Sequence, residues 1–176
     1  MKTSKIVGTI IICFGLFLLS TLIYQSVVGE YSYQKNYKQL WTLADRSSTI
    51  AAKHEYLSKF YNALRTGRVQ NKFSDNDACW FKTPANEFDA NLEALHTLVN
   101  RLAEIKTMDP NSFQYNTAIQ QITAQEQGEA KEMLDVFYGC YFLAGYPLVW
   151  GWIGMTMCLV TFILIFVGSM TIYVED

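Results

Sequence analysis

The sequence predicts an all-α membrane protein in which two transmembrane helices flank an extracytoplasmic antiparallel helical bundle. Two stretches without charged residues, 6–28 and 148–174, bracket the chain, and the segment between them is rich in charged and polar residues. A helix rises about 1.5 Å per residue, so about 20 residues cross an apolar layer of about 30 Å. Both stretches are therefore long enough to cross a bilayer.

These stretches divide the chain into five segments. The prediction places a cytoplasmic tail at 1–5, the first transmembrane helix at 6–28, an extracytoplasmic helical domain at 29–147, the second transmembrane helix at 148–174 and a second cytoplasmic tail at 175–176. A cleaved signal peptide has an apolar region of about 7 to 15 residues and a small-residue cleavage site. The first stretch is longer and no such site precedes Glu30, so we expect an uncleaved anchor.

Basic residues ahead of the first apolar stretch predict its orientation. Lys2, Lys5 and the terminal amine carry positive charge there, with no acid among them. Positive flanks stay in the cytoplasm, and a long segment between spans is translocated despite its own charges. We therefore expect both termini in the cytoplasm and the middle segment outside a cell membrane, either a plasma or an inner membrane.

Aromatic residues lie at the inner ends of both stretches. Tyr and Trp side chains settle at the level of the lipid headgroups. Those after the first stretch are Tyr24, Tyr31 and Tyr33, and those before or within the start of the second are Tyr141, Tyr146, Trp150 and Trp152. We expect both groups to mark the outer face of the same membrane.

The charge pattern argues against some partners and activities. The net charge is -2, and Lys and Arg are interspersed with Asp and Glu instead of forming a basic stripe, which argues against nucleic acid. Neither apolar stretch contains Asp, Glu, Lys, Arg or His, the residues that form ion pathways and proton relays in membranes. This argues against a transporter or pump. The lipid bilayer is the first partner that we expect.

The middle segment predicts three helices. The first covers about 30–66 and is expected to end at Gly67, because glycine readily takes the left-handed conformation that closes helices. An irregular loop follows at 68–84. The second helix covers about 85–107, where apolar residues in steps of three and four form a seam for another helix, as in coiled coils. That seam consists of Phe88, Leu92, Leu95, Val99 and Leu102.

The third helix is predicted over about 110–142. Asp109 is placed as its N-cap and Pro110 as its first helical residue. Because both spans leave the membrane on the same face, the chain must cross the height of the bundle an even number of times. We expect the loop at 68–84 to make the fourth crossing, and the competing solution is a bend that splits the first helix near 45–49.

Two cysteines outside the spans suggest a disulfide. Cys140 lies a few residues before the second span, and a descending loop would bring Cys79 to the same level. A bridge would anchor a loop that has little core of its own. The alternative is two buried thiols. Cys13 and Cys158 lie within the spans and are expected to be apolar fillers.

Two carboxylates interrupt the apolar seam of the third helix. Glu126 and Glu129 occupy positions where the pattern predicts apolar residues, and buried carboxylates need partners. Counted outward from the two spans, Glu129 and Arg46 should lie at one height, about 30 Å above the bilayer. We expect a polar layer with Arg46 or Lys53 as counter-charge and Ser47 and Ser48 giving room. The alternative is a ligand or ion pocket at the same residues.

The sequence shows no pattern typical of catalysis, a metal or a cofactor. It has no paired nucleophile and base and no phosphate-binding glycine loop, Glu126-x-x-Glu129 lacks the Glu-x-x-His motifs that di-iron bundles use on two helices, and the two histidines, His54 and His96, are isolated. Glycines in the spans allow close helix approach. They are Gly8 and Gly15 in the first span and Gly151 and Gly154 in the second.

The layout of a short tail, a span, an outer helical bundle and a second span resembles that of the sensing half of bacterial chemoreceptors and sensor kinases. The resemblance concerns the layout alone, and any signal would have to pass through a partner. We expect a non-enzymatic, membrane-anchored interaction or scaffold protein, or an accessory subunit, that binds another protein or a second copy. The alternative is a ligand-sensing module for a small molecule, with its pocket at the proposed polar layer.

Overall fold

The computed structural model describes residues 2–74, 84–149 and 151–173, and this part of the chain is all-helical, without strands. It divides into two compact units, Met1–Glu30 with Tyr146–Asp176, and Tyr31–Gly145. The elements in chain order are α1 Lys2–Tyr33, a π-helical segment Gln34–Lys38, α2 Gln39–Asp45, α3 Ile50–Val69, a short 3-10 helix Pro84–Asn86, α4 Phe88–Lys106, α5 Phe113–Gly145 and α6 Gly151–Tyr173.

The first unit contains most of α1 and all of α6. Two helical stretches, Lys5–Asp45 and Ile153–Tyr173, are long and apolar enough to cross a membrane. Large apolar side chains stay exposed along both, including Phe17 at 67% and Phe162 at 68%. This confirms that the chain has two candidate membrane-spanning helices.

Glycines bring α1 and α6 into close contact. A Cβ atom at Gly168 would lie 2.7 Å from Ile12 Cγ1 and 3.0 Å from the Gly8 carbonyl oxygen, so only glycine fits there without a shift. Gly15 meets Ile165 in the same way. The prediction was right about Gly8 and Gly15, but α6 contributes Gly168 to this contact, whereas Gly154 packs against the backbone of Val149. A small-residue contact lets the two backbones approach closely.

The second unit is a helical bundle in which consecutive helices pack together, α2 with α3, α3 with α4, and α4 with α5. The helix expected over 30–66 is interrupted between Asp45 and Ile50. Thr49 caps the new helix, because its side-chain oxygen accepts a hydrogen bond from the Ala52 N–H at 3.2 Å. The interruption lies where the competing solution placed a bend.

The end of α3 corrects one prediction. The helix continues past Gly67 to Val69, and Asn71 takes the left-handed conformation at φ 56°. The Asn71 N–H donates to the Arg68 carbonyl at 3.0 Å and the Lys72 N–H donates to the Gly67 carbonyl at 2.9 Å. This pair of bonds is a Schellman motif with asparagine in the place of glycine.

Most of the apolar seam predicted for α4 is buried, whereas Leu92 is half-buried. Phe88, Leu95, Val99, Leu102 and Ile105 are all buried. The stripe recurs every three or four residues, so it forms one face of the helix.

The start of α5 differs from the prediction. Ser112 is the capping residue, since its Oγ accepts a hydrogen bond from the Tyr115 N–H at 3.1 Å, and α5 begins at Phe113. Asp109 instead accepts from the Asn111 N–H at 3.0 Å and shapes the turn before the helix.

Aromatic rings fill the bundle near Tyr33. Tyr33 is 2% exposed and packs edge-on against Tyr138 with ring centroids 5.1 Å apart. The same cluster contains Tyr37, Phe60, Phe73, Phe88, Phe137, Tyr141 and Phe142. The aromatic residues expected at the membrane interface therefore differ in burial. Tyr24 and Tyr31 are exposed, whereas Tyr33 and Tyr141 are part of the core.

Candidate functional site

The residues of the predicted polar layer lie on α5 and around the interruption between α2 and α3. Arg46 is the C-cap residue of α2 and is exposed, as is Ser48. The Ser47 hydroxyl donates to the Leu43 carbonyl at 2.7 Å, which is a local bond to a residue four positions earlier. Glu126 and Glu129 belong to α5, but their side chains lie outside what the structure describes. The polar layer therefore stays a prediction.

The predicted disulfide is not supported, because no two cysteines among the described residues lie at disulfide distance. Cys79 falls outside the described residues, and Cys140 is buried in α5. The backbone of Cys140 does bind the chain that leads into the loop, since its carbonyl accepts a hydrogen bond from the Ser74 N–H at 2.9 Å.

Aromatic packing anchors the chain on both sides of the segment 75–83. Phe73 and Phe88, which flank the segment 75–83 in sequence, are 3% and 5% exposed, with ring centroids 4.9 Å apart. The Arg68 guanidinium lies 5.3 Å from the centre of the Phe88 ring and 3.3 Å from Asp89 Oδ2. These contacts hold Phe73 and Phe88 on the bundle.

A polar groove runs along the exposed side of α3. We call it the α3–α4 groove, and its volume is about 590 Å³. It is lined by Thr49, Ala51, Ala52, His54, Glu55, Ser58, Lys59, Asn62 and Lys106. Because the first turns of α3 and the last residue of α4 line the same groove, these two helix ends are neighbours.

The electrostatics of the α3–α4 groove are dominated by two lysines and one glutamate. Lys59 Nζ lies 2.6 Å from Glu55 Oε1, one helical turn away. The hydrogen bond and charge of Lys59 lower the pKa of the Glu55 carboxyl, and Lys106 adds a smaller effect in the same direction. The same contact raises the pKa of Lys59. Both side chains are more than half exposed, so this pair contributes little to stability.

The two histidines make local contacts. His96 stacks on Tyr61 with ring centroids 4.9 Å apart and the planes within 15°, which joins α4 to α3. His54 Nε2 lies 3.4 Å from Ser58 Oγ on the same helix. In the part of the chain that the structure describes, no three His, Cys, Asp or Glu side chains form a group that could hold a metal ion.

Two of the large apolar side chains exposed on the bundle lie near the end of α2 and at the start of α5. Phe113 is 85% exposed on the first turn of α5, which follows α4 after the turn at 107–112. Leu43 is 45% exposed near the end of α2. The sequence pattern did not single out either residue, because an exposed and a buried apolar residue look alike without the fold.

Comparison with known proteins identifies no relative. The chain matches no protein-family profile, no curated protein and no solved structure.

Proposed function

We propose that this chain is a non-enzymatic, membrane-anchored interaction protein whose helical bundle binds a protein partner or a second copy of itself. The observation that carries this proposal is the exposure of Phe113, which presents 85% of its surface to solvent at a helix end. Aromatic side chains, Phe among them, are enriched in protein interfaces relative to the rest of the protein surface. Leu43 and the polar α3–α4 groove would extend such a surface with an apolar anchor and a charged rim.

We further propose that the bundle is antiparallel. The connection between α2 and α3 covers 46–49 and that between α4 and α5 covers 107–112. Consecutive helices that are joined by short connections and packed together are usually antiparallel neighbours. The contacts of α3 with both α2 and α4 agree with this arrangement.

The bundle is proposed to lie outside the cytoplasm, with both termini inside. Support comes from the two candidate spans and from Lys2 and Lys5 before the first of them. In intact cells, a cysteine introduced at the exposed Asn111 should react with an impermeant maleimide. A Ser4→Cys variant should react only after lysis, and the parent gives the background from the native cysteines. The opposite pattern would reverse the orientation.

Photo-crosslinking in native membranes tests the interaction. A benzophenone amino acid at position 113 should give one discrete cross-linked band, and mass spectrometry of the band distinguishes a partner from a second copy. The matched control is the same group at Val69, which is 79% exposed at the other end of α3. No discrete band at position 113, or equal bands at both positions, would contradict the proposal.

A further inference from the structure

The first part of α5 packs loosely on the bundle. From Phe113 to Gln121, a segment that the structure describes completely, every side chain is half-buried or exposed. Later in the same helix, several residues are fully part of the core, namely Met133, Val136, Phe137, Cys140, Tyr141 and Phe142. The core therefore lies along the second part of α5, and no residue of the first part belongs to it.

The first part of α5 needs packing to be stable. Asn116, Thr117 and Ile119 have lower helix propensity than Ala, Leu or Gln. A short helical segment obtains most of its stability from the packing of one face and not from its own residues. The apolar side chains Tyr115, Ala118 and Ile119 are only half-buried. A surface outside this chain would supply the packing that the bundle does not.

The other side of this segment is exposed. Phe113 is 85% exposed, and Asn116 and Gln120 are exposed as well. These residues follow one another in steps of three and four, so they share one side of the helix with Thr117. We call Phe113, Asn116, Thr117 and Gln120 the α5 outer face.

The α5 outer face carries no charge. No Asp, Glu, Lys or Arg lies between Asp109 and Glu126. The exposed sides of α3 and α4, by contrast, carry charged residues, among them Glu55, Lys59, Glu93 and Arg101. The centre of a protein interface is depleted of charged residues and enriched in aromatic ones. The α5 outer face has both properties.

The chemistry of this face is self-complementary. Amide side chains both donate and accept hydrogen bonds, so Asn116 and Gln120 can pair with the same groups of an identical face. Copies of one chain usually pair about a two-fold axis, and residues near that axis meet their own counterparts. A charged residue there would face a like charge, whereas a different protein can supply the opposite charge. The absence of charge thus favours a second copy over another protein.

We propose that two copies of this chain pair through the α5 outer face, an inference that rests on the interaction proposed above and names its partner. Phe113 supplies the apolar contact of the pair, and the amides of Asn116 and Gln120 supply its hydrogen bonds. The face is about 10 Å long at about 1.5 Å per residue, so all of its residues lie close to the two-fold axis.

Energy transfer between copies in a membrane tests the pairing. The full chain is reconstituted into liposomes of neutral phosphatidylcholine, with a donor dye on the N-terminal amine of one batch and an acceptor dye on that of the other. The parent should show energy transfer that rises with the protein-to-lipid ratio and saturates. This curve gives the dissociation constant of the pair.

Charge substitutions at Gln120 identify the surface. Gln120→Lys in both batches should weaken pairing by about tenfold or more, because like charges then face each other across the axis. Gln120→Lys in one batch with Gln120→Glu in the other should restore pairing, since the charges are then opposite. The matched control is Gln39→Lys in both batches, which changes an exposed glutamine on α2 and should leave pairing unchanged.

Three results would overturn the inference: no pairing of the parent, equal dissociation constants of the Gln120→Lys and Gln39→Lys chains, or no recovery when Gln120→Lys is mixed with Gln120→Glu. The cross-linking experiment at position 113 separates these results from failure of the proposed function. A discrete band that contains a different protein, without pairing of the parent, overturns the second copy and leaves the proposed function standing. The absence of a band contradicts the proposed function itself.

Discussion

The Tyr141 hydroxyl donates a hydrogen bond to Ser32 Oγ over 3.0 Å, and the two residues are 109 positions apart in the chain. Ser32 lies in the last turn of α1 and Tyr141 near the end of α5. The bond therefore joins the first and the last helix of the bundle. The Tyr141 ring also packs against Tyr33, with centroids 5.4 Å apart.

The first prediction concerns this bond. Tyr141→Phe and Ser32→Ala should each lower the free energy of unfolding, and the double variant should lose less than the sum. The difference in a double-mutant cycle should be about 1 kcal/mol, as expected for a neutral hydrogen bond. Thermal unfolding in micelles measures it. Strictly additive losses would mean that the bond does not form in solution.

The second prediction concerns the close approach at Gly67. Gly67→Ala should destabilise the bundle by about 1 to 3 kcal/mol, because the new methyl group meets the Tyr37 hydroxyl and the Phe73 ring, and both side chains are held in place by other aromatic rings. The matched control is Gly145→Ala, since a Cβ atom there meets nothing within 4 Å. A Gly67→Ala variant as stable as the Gly145→Ala variant would show that the rings can move aside.

The third prediction concerns the two candidate spans. Gly168→Leu should separate α1 from α6 and lower the thermal stability of the chain in bilayer nanodiscs, because overpacking of a close contact typically costs about 1 to 3 kcal/mol. Val167→Leu is the control, since Val167 is 43% exposed on the neighbouring position. Equal melting temperatures of the two variants would argue against the contact between Gly168 and Ile12.

The fourth prediction concerns the pH dependence of Glu55. The Lys59 ammonium lowers the pKa of this carboxyl below its ordinary 4.5. The folded-state pKa is therefore below the unfolded one, so the small stabilisation by this pair is present at neutral pH and is lost as the pH falls through the folded-state pKa.

Carboxyl-carbon NMR titration measures the pKa of Glu55 directly. Lys59→Met should return the Glu55 midpoint toward 4.5, while Lys106→Met should move it less, because Lys106 acts only through its charge and is the smaller cause. A larger shift with Lys106→Met than with Lys59→Met would mean that Lys106, and not Lys59, is the main cause of the lowered pKa.

Part of this architecture could be predicted from sequence because it depends on local pattern. Two uncharged stretches identify the candidate spans by length and polarity alone. The buried stripe of α4 follows from residues such as Leu95 and Leu102 at helical spacing, because a helix buries one face. From the sequence, the break between α2 and α3 was one of two alternatives, a bend or a continuous helix. The segment 46–49 contains neither Gly nor Pro, so only the packing of the two helices distinguishes them.

The sequence by itself determined an all-helical chain with two apolar stretches of bilayer length, because composition and period need no knowledge of distant partners. Only the tertiary structure decided what individual residues do. Gly67 is a residue type typical of helix ends, yet it lies inside α3 and makes room for the Tyr37 hydroxyl and the Phe73 ring. Phe113 is an apolar residue type typical of cores, yet it is exposed. Such roles depend on which helices meet, and contacts between residues far apart in the chain are set by packing and not by local pattern.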